Sequence, residues 1–359
     1  MKLYNTVDKQ VLKEQMKADS ESRLTLSFYQ YYHIGNPTVF RHYIYYHWAE
    51  VGVLGRIYVA KEGVNAQISI PEQQFEAFKS KLNDITFLEA VRLNIAIEDD
   101  GKSFYKLKIK VKDKIVADGL DDASFDVTNK GTHLNAESFN EISTNPDTVI
   151  VDMRNHYESE VGHFENAICP DVDTFRESLP IVAELLKEKR EQPIVMYCTG
   201  GIRCEKASAY LKHNGFNNVY QLEGGIIEYT RQVRNQELPN KFKGKNFVFD
   251  ERLGERISHE IISQCHQCDA TSDRHNNCVN SACHLLLIQC EACSGKYGNC
   301  CSQVCYEYTQ LPEEIQIELR KGVFINAQAY KKGRTSPFLE NAELVAQVKK
   351  LYAELVSKP

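Results

Sequence analysis

The sequence predicts an α/β multidomain protein. A ferredoxin-like α+β domain is expected over residues 1–120, a doubly wound parallel-sheet domain over 121–240, and a small cysteine-rich, zinc-binding module over 241–359 that ends in a helix. Three observations support this. Residues 22–120 carry apolar segments in the order βαββαβ; short apolar strands alternate with loops and helices between 148 and 225; and nine of the twelve cysteines fall between Cys265 and Cys305. A chain of 359 residues is also too long for one compact core.

Residues 24–32 are apolar and β-prone, and Pro37 can open a helix reaching about residue 50. Gly52 and Gly55 punctuate; residues 56–60 and 64–70 read as strands joined at Lys61-Glu62-Gly63. Pro71-Glu72 starts an amphipathic helix with Phe75, Phe78 and Leu82 on one side. Residues 91–97 alternate as a strand, and a further strand over 105–111 either extends the sheet or leaves it. This order is that of a ferredoxin-like sandwich. Residues 121–147 are polar and without a strong period, as a linker would be. Residues 148–152, 194–197 and 219–222 are short apolar strands, and a helix over 204–214 closes at Gly215. Strands alternating with helices mean a parallel, doubly wound sheet. The tail has a basic loop, Lys331-Lys332-Gly333-Arg334, and a final helix near 339–355.

Composition narrows the class. With 42% hydrophobic and 26% charged residues, the chain belongs among soluble globular proteins. The first twenty residues, MKLYNTVDKQVLKEQMKADS, have no apolar h-region, so no signal peptide is expected. No apolar run is long enough to cross a bilayer, so no membrane partner is expected and the cytoplasm is the expected location. A net charge of −6 argues against a surface that grips nucleic acid all over; no DNA partner is expected, and any RNA is held by local patches. In a reducing compartment the cysteine cluster reads as metal ligands rather than disulfides.

Cys198 stands where a buried strand ends. Thr199-Gly200-Gly201-Ile202-Arg203 and then a helix follow. Two glycines let the backbone curl so that N–H groups point inward, and the helix adds its positive end. Both favour a thiolate, which makes Cys198 a nucleophile near neutral pH. Arg203 adds a cation. Cys204 is read either as a thiol that resolves oxidised Cys198 or as a small packed residue. Arg154 and His163 are read either as residues that order the site or as structural ones, Arg154 stabilising a loop and His163 as a ring in a turn, and the structural reading is favoured for both.

The string Cys198-Thr199-Gly200-Gly201-Ile202-Arg203 resembles the active loop of rhodanese sulfurtransferases. Asp152-Met153-Arg154-Asn155, Tyr157-Glu158, Gly162-His163-Phe164 and Ala167 resemble that fold's upstream signature, and Leu222-Glu223-Gly224-Gly225 its closing motif. The longer string through Cys204-Glu205-Lys206-Ala207 is similar to that of the bacterial tRNA uridine hydroxylases, which convert the wobble uridine to 5-hydroxyuridine with molecular oxygen. Gly55-Arg56-Ile57-Tyr58-Val59-Ala60-Lys61-Glu62-Gly63-Val64-Asn65, Cys265-His266-Gln267-Cys268 and Cys300-Cys301-Ser302 resemble other parts of that family, so the likeness spans nearly the whole chain. It implies a catalytic role for Cys198, molecular oxygen as co-substrate and a tRNA anticodon loop as partner.

In the tail, Cys265-x2-Cys268, Cys278-x4-Cys283, Cys290-x2-Cys293 and Cys301-x3-Cys305 offer eight thiolates for two tetrahedral zinc ions, with His266, His275 and His284 as possible substitutes. Consecutive and crossed pairings both fit. Lys106, Lys108, Lys110 and Lys112 alternate with apolar residues, so all four share one face. That stripe either follows a phosphate backbone or is a solvated sheet face, and by itself favours the latter. Phe104 and Tyr105 are candidates for base stacking, and the 331–334 loop is a second basic candidate. The leading function is oxygen-dependent hydroxylation of a tRNA wobble uridine; a persulfide-carrying sulfurtransferase and a non-catalytic RNA-binding protein are the rivals. The sequence holds no G-x-G-x-x-G fingerprint and no two-histidine, one-carboxylate iron pattern.

Overall fold

Alternation in the first strand sets the N-terminal architecture. In β1 (Arg23–Tyr31) Leu26 and Phe28 are buried, whereas Ser27, Tyr29 and Tyr31 are only half-buried. The strand therefore has an apolar and a polar face. The computed structural model describes residues 7–120, 125–321 and 336–357. β1 runs antiparallel to β3 (Gly63–Pro71) and β4 (Asn94–Ile95), β3 pairs with β2 (Leu54–Ala60), and β5 (Leu107–Val111) joins β2 in parallel. The order β4-β1-β3-β2-β5 contains the ferredoxin-like arrangement, with β5 as an added edge. Helix α1 (Lys9–Ala18) precedes the sheet; α2 (Pro37–Ala49) and α3 (Phe75–Asn83) supply Ile44, Trp48, Phe78 and Leu82 to a core shared with Leu26, Phe28, Ile57 and Ile68. Trp48 makes edge contacts with Phe28 and Phe78, ring centres 5.9 and 5.4 Å apart.

Register then aligns the other face. Asn94, Ser27, Gln67, Arg56 and Lys108 form one cross-strand row, and Tyr29, Asn65, Tyr58 and Lys110 the next.

A second sheet, order β6-β10-β9-β7, is parallel throughout: β6 (Thr132–Leu134), β7 (Val149–Asp152), β9 (Ile194–Tyr197) and β10 (Val219–Leu222). Its helices are α4 (Ala136–Ile142), α5 (His156–Ser159), α6 (Phe175–Leu185), α7 (Ile202–His213) and α8 (Gly225–Gln236). Short strands β8 (Gly162–Phe164), β11 (Phe242–Asn246) and β12 (Glu255–Arg256) form a separate sheet. Both large sheets lie in one compact unit, Met1–Ser159 with His163–Phe242 and Asn246–Ile257. The second unit takes Glu160–Gly162, Lys243–Lys245 and Ser258–Pro359; it holds the hairpin β13 (His275–Asn277) and β14 (Leu286–Ile288), and helices α9 (Glu291–Lys296), α10 (Gln303–Gln310), α11 (Glu313–Leu319), α12 (Pro337–Glu340) and α13 (Ala342–Val356).

Some elements differ from expectation. The stretch read as a linker holds β6 and α4, which bury little: only Ala136 and Phe139 of α4 are buried, so no period shows. The strand expected over 91–97 shrinks to β4, because Val91 closes a turn onto Leu88 and Ile97 N–H goes to Glu255. The final helix is broken in two at Asn341, whose side chain accepts the N–H of Leu344 and caps α13. The 331–334 loop lies outside the described residues.

Helix α7 is tied to the N-terminal sheet by one buried cation. Lys206 Nζ donates to both Glu62 oxygens (2.9 Å each), to Asp118 Oδ2 (2.6 Å) and to Val116 O (3.1 Å). Glu62 sits at the β2–β3 turn and also accepts the N–H of Ile115. Lys206→Met takes the buried counter-ion from Glu62 and leaves Asp118 with Lys114 alone; it is expected to cost about 3–5 kcal/mol of stability. Urea unfolding measures it; a loss below about 1 kcal/mol, the scale of an exposed pair, would show that the cluster holds little.

Candidate functional site

Strand β9 delivers Cys198 to the head of α7. Its Sγ is fully buried and accepts the N–H of Gly201 at 3.2 Å. Gly201 has φ +96°, and a side chain there would bring Cβ to 2.9 Å from the Tyr29 hydroxyl. The first amides of α8 lock the loop from behind: Ile226 N–H donates to Cys198 O and Ile227 N–H to Thr199 O. Burial pushes the Cys198 thiol up, but the Cys204 thiol, the Arg203 guanidinium and the N–H groups of Arg203 and Cys204 outweigh it and bring the value down to about 6. Cys204 is pushed the other way, well above an ordinary thiol, by burial and by sharing its proton with Cys198. The arrangement favours the thiolate at Cys198, with Cys204 as its donor.

Arg203 is oriented by Glu158, to whose two oxygens it donates at 2.6 and 2.8 Å, and it reaches the Thr199 hydroxyl at 3.3 Å. Arg154 is committed to Asp152 through Nε and NH2, with both side chains fully buried. His163 Nδ1 lies 3.0 Å from the Phe164 carbonyl. Both therefore brace the scaffold.

The polar face of the N-terminal sheet roofs the loop. Tyr29 donates its hydroxyl to Glu205 Oε1 (3.0 Å), Tyr31 donates to the Ile202 carbonyl (3.4 Å), and Asn94 Nδ2 donates to the Gly200 carbonyl (3.4 Å). Glu205 also meets His133 Nε2 at 3.0 Å and Lys130 at 2.6 Å. Burial raises its carboxyl, yet His133 and Lys130 hold it down at about 2. Between roof and loop opens a cleft of about 430 Å³, whose lining includes Tyr29, Tyr31, Asn94, His133, Gly200 and Glu205.

In the second unit, eight cysteines gather into two sets: Cys265, Cys268, Cys290 and Cys293, and Cys278, Cys283, Cys301 and Cys305. The pairing is crossed, each set joining two knuckles with part of the other set between them in sequence. The sulfurs of each set lie within 4.8 Å of one another, and Cys268–Cys290, Cys283–Cys301 and Cys301–Cys305 are 3.6 Å apart. A tetrahedral ion with bonds of about 2.3 Å needs sulfurs about 3.8 Å apart, so the residues fit a metal ion. N–H groups of Cys293 and Cys301 and the Asn280 amide point at these sulfurs. Cys300 and the three histidines are outside both sets; His266 pairs with Glu160 at 2.7 Å.

Residues 23–115 match the UPF0176 acylphosphatase like domain, 135–232 the rhodanese-like domain and 243–306 the rhodanase C-terminal family. The chain is 55% identical to a protein of Photorhabdus laumondii named tRNA uridine(34) hydroxylase, over 92% of this chain and 95% of that one. It is 56% identical to a protein of the same name from Pectobacterium carotovorum, over 89% and 90%. The chain belongs to the tRNA uridine(34) hydroxylase family. As a member of that family it joins an acylphosphatase-like sheet to a rhodanese domain and a cysteine-rich module able to hold metal.

Within this hydroxylase-family chain the structure brings Cys198, Thr199, Gly200, Gly201, Ile202 and Arg203 into one loop. Lys108, Lys110 and Lys112 are exposed and Lys106 half-buried, along the far edge of the sheet from β4. Phe104 is buried and offers no stacking face, while Tyr105 lies beneath the ammonium groups of Lys13 and Lys106. Sequence reasoning missed Tyr29, Tyr31, Asn94 and His133. The two tyrosines had a signal: they fall on the face of β1 opposite Leu26 and Phe28.

Alkylation of Cys198 by a small neutral reagent should titrate with a midpoint near 6 and fall away below it, as the thiolate takes up a proton. Arg203→Met should move that midpoint upward. A midpoint at the ordinary thiol value of about 8.5 would show that the loop does not stabilise the charge.

Proposed function

We propose that this protein hydroxylates C5 of the wobble uridine of tRNA with molecular oxygen, and that Cys198 is the catalytic nucleophile. The observation that carries the reading is the continuous polar face of the N-terminal sheet. At one end Tyr29 and Asn94 cover the Cys198 loop; three strand spacings from β1, about 14 Å, Lys108 and Lys110 stand exposed, with Arg56 and Tyr58 between. A small-anion sulfurtransferase has no use for such a track. An RNA strand with phosphates on the lysines and one base turned toward the loop does.

The chemistry needs only a thiolate, oxygen and a thiol reductant. Cys198 Sγ adds to C6, the C5=C6 π bond opens, and its electron pair becomes an enolate shared between C5 and O4. C5 passes two electrons to oxygen and takes on a peroxide; a cellular thiol pair reduces that to C5–OH and water, becoming a disulfide. Loss of the C5 proton expels Cys198 and restores the double bond. The balance is uridine plus oxygen plus two thiols, giving 5-hydroxyuridine, disulfide and water. Arg203 and the loop N–H groups stabilise the sulfur as it enters and leaves as an anion.

The two cysteine sets are read as structural zinc sites, closed and without an open position. Among the described residues no helix is long and apolar enough to cross a membrane; a cytoplasmic location follows from the tRNA substrate.

Purified protein given oxygen, a thiol and unmodified tRNA should add one oxygen atom at the wobble uridine, read by nucleoside mass spectrometry, and Cys198→Ser should abolish it. Incorporation of sulfur instead would favour the sulfurtransferase reading. Lys108→Ala with Lys110→Ala should weaken tRNA binding and reduce the slope of log K against log salt by about 2, leaving Cys198 alkylation unchanged. Elemental analysis should find two zinc ions per chain; Cys301→Ser should lose one and Cys300→Ser neither. Metal-free, protease-resistant protein would rule out the ligand role.

A further inference from the structure

Asn94 stands out among the residues of the cleft. It is 4% exposed, and its Oδ1 is one of the buried polar atoms that have no hydrogen-bond partner. The other half of the amide is settled: Nδ2 donates to the Gly200 carbonyl, which fixes the amide orientation. A buried acceptor left unpaired costs about 1–3 kcal/mol. Groups of that kind persist where a ligand completes them.

The surroundings specify the ligand's shape. Tyr29 and Tyr31 line the same cleft with their hydroxyls tied to Glu205 and Ile202, so their rings are held in place before anything binds. Fixed aromatic faces suit an unpaired base. A volume of about 430 Å³ lies within the range of small-molecule sites, about 300–1,000 Å³. Gly200, two residues from Cys198, forms the adjoining wall, where an added Cβ would sit 3.5 Å from Asn94 Nδ2.

We propose that this cleft receives the turned-out pyrimidine and that Asn94 is its specificity-determining residue, with Oδ1 accepting the N3–H of uracil. This rests on the reading that the chain hydroxylates a uridine. Uracil presents an N–H at position 3, flanked by two carbonyls. Cytosine presents a lone pair there, which would face the Oδ1 lone pairs and leave both unpaired. The residue that anchors the roof to the loop thereby also separates uridine from cytidine.

The test crosses a change in the RNA with a change in the protein. Full-length native protein and Asn94→Ala are each given anticodon stem-loop RNA carrying uridine or 3-methyluridine at the wobble position, and kcat/KM and equilibrium binding are measured for all four pairings. Methylation removes the N3–H donor. Native protein should prefer uridine by about tenfold or more, and Asn94→Ala should bring that preference close to one. An unchanged preference in the variant overturns the proposal, because the N3–H is then not read by Oδ1. Native protein that modifies neither RNA overturns the functional reading instead, and the binding ratios still decide the role of Asn94. Urea midpoints and Cys198 alkylation show that the variant is folded; if Asn94→Ala unfolds, Asn94→Leu, of closer volume and without polar side-chain atoms, takes its place.

Discussion

A single buried ammonium group holds the geometry around the Cys198 loop together. Lys206 lies on α7, one turn beyond Arg203, and its charge is met by Glu62 from the β2–β3 turn and Asp118 from the segment between the two sheets. A lysine this deep is tolerated only when fully paired. Its partners come from separate parts of the chain, so the pairing fixes where the N-terminal sheet sits over the head of α7. The three roof contacts of Tyr29, Tyr31 and Asn94 depend on that placement, and so does the cleft beneath them.

The charge arrangement around Cys198 follows a different logic. Arg203 supplies the cation that lowers the Cys198 thiol, and Glu158, which accepts from two of its nitrogens, holds it in place. The remaining stabilisation comes from neutral donors: the N–H groups at the start of α7 and the Cys204 thiol. These are short-range and directional. They favour a negative sulfur at one spot.

Much of this was legible in the sequence. Most strands of the two large sheets, β6 excepted, follow from local alternation and punctuation, and the Cys198 loop from a strand, two glycines and a helix in succession. The eight cysteines of the two sets follow from knuckle spacing. What was hidden depends on distant register. Asn94 meets Gly200 across 106 positions and Tyr29 meets Glu205 across 176, and no local pattern reports such pairs. The crossed pairing of the cysteine sets is of the same kind, since spacing within a knuckle is silent about its partner. β6 and α4 were missed because too few of their residues are buried for a period to register.

The lysine stripe shows how register can change the meaning of a local pattern. By itself, alternation of Lys106, Lys108, Lys110 and Lys112 says only that four cations share a face, and an exposed edge strand is a common place for lysine. Pairing of β5 with β2, of β2 with β3 and of β3 with β1 puts Lys108 in the same row as Ser27 and Lys110 in the same row as Tyr29. The stripe and the roof are thus two ends of one surface. A strand of RNA held at the lysines is held at a set distance from the loop, since the spacing between strands is fixed by their hydrogen bonds. On the proposed reading the sheet acts as a ruler, and a free nucleoside, which cannot reach both ends, forfeits the positioning that this surface would supply.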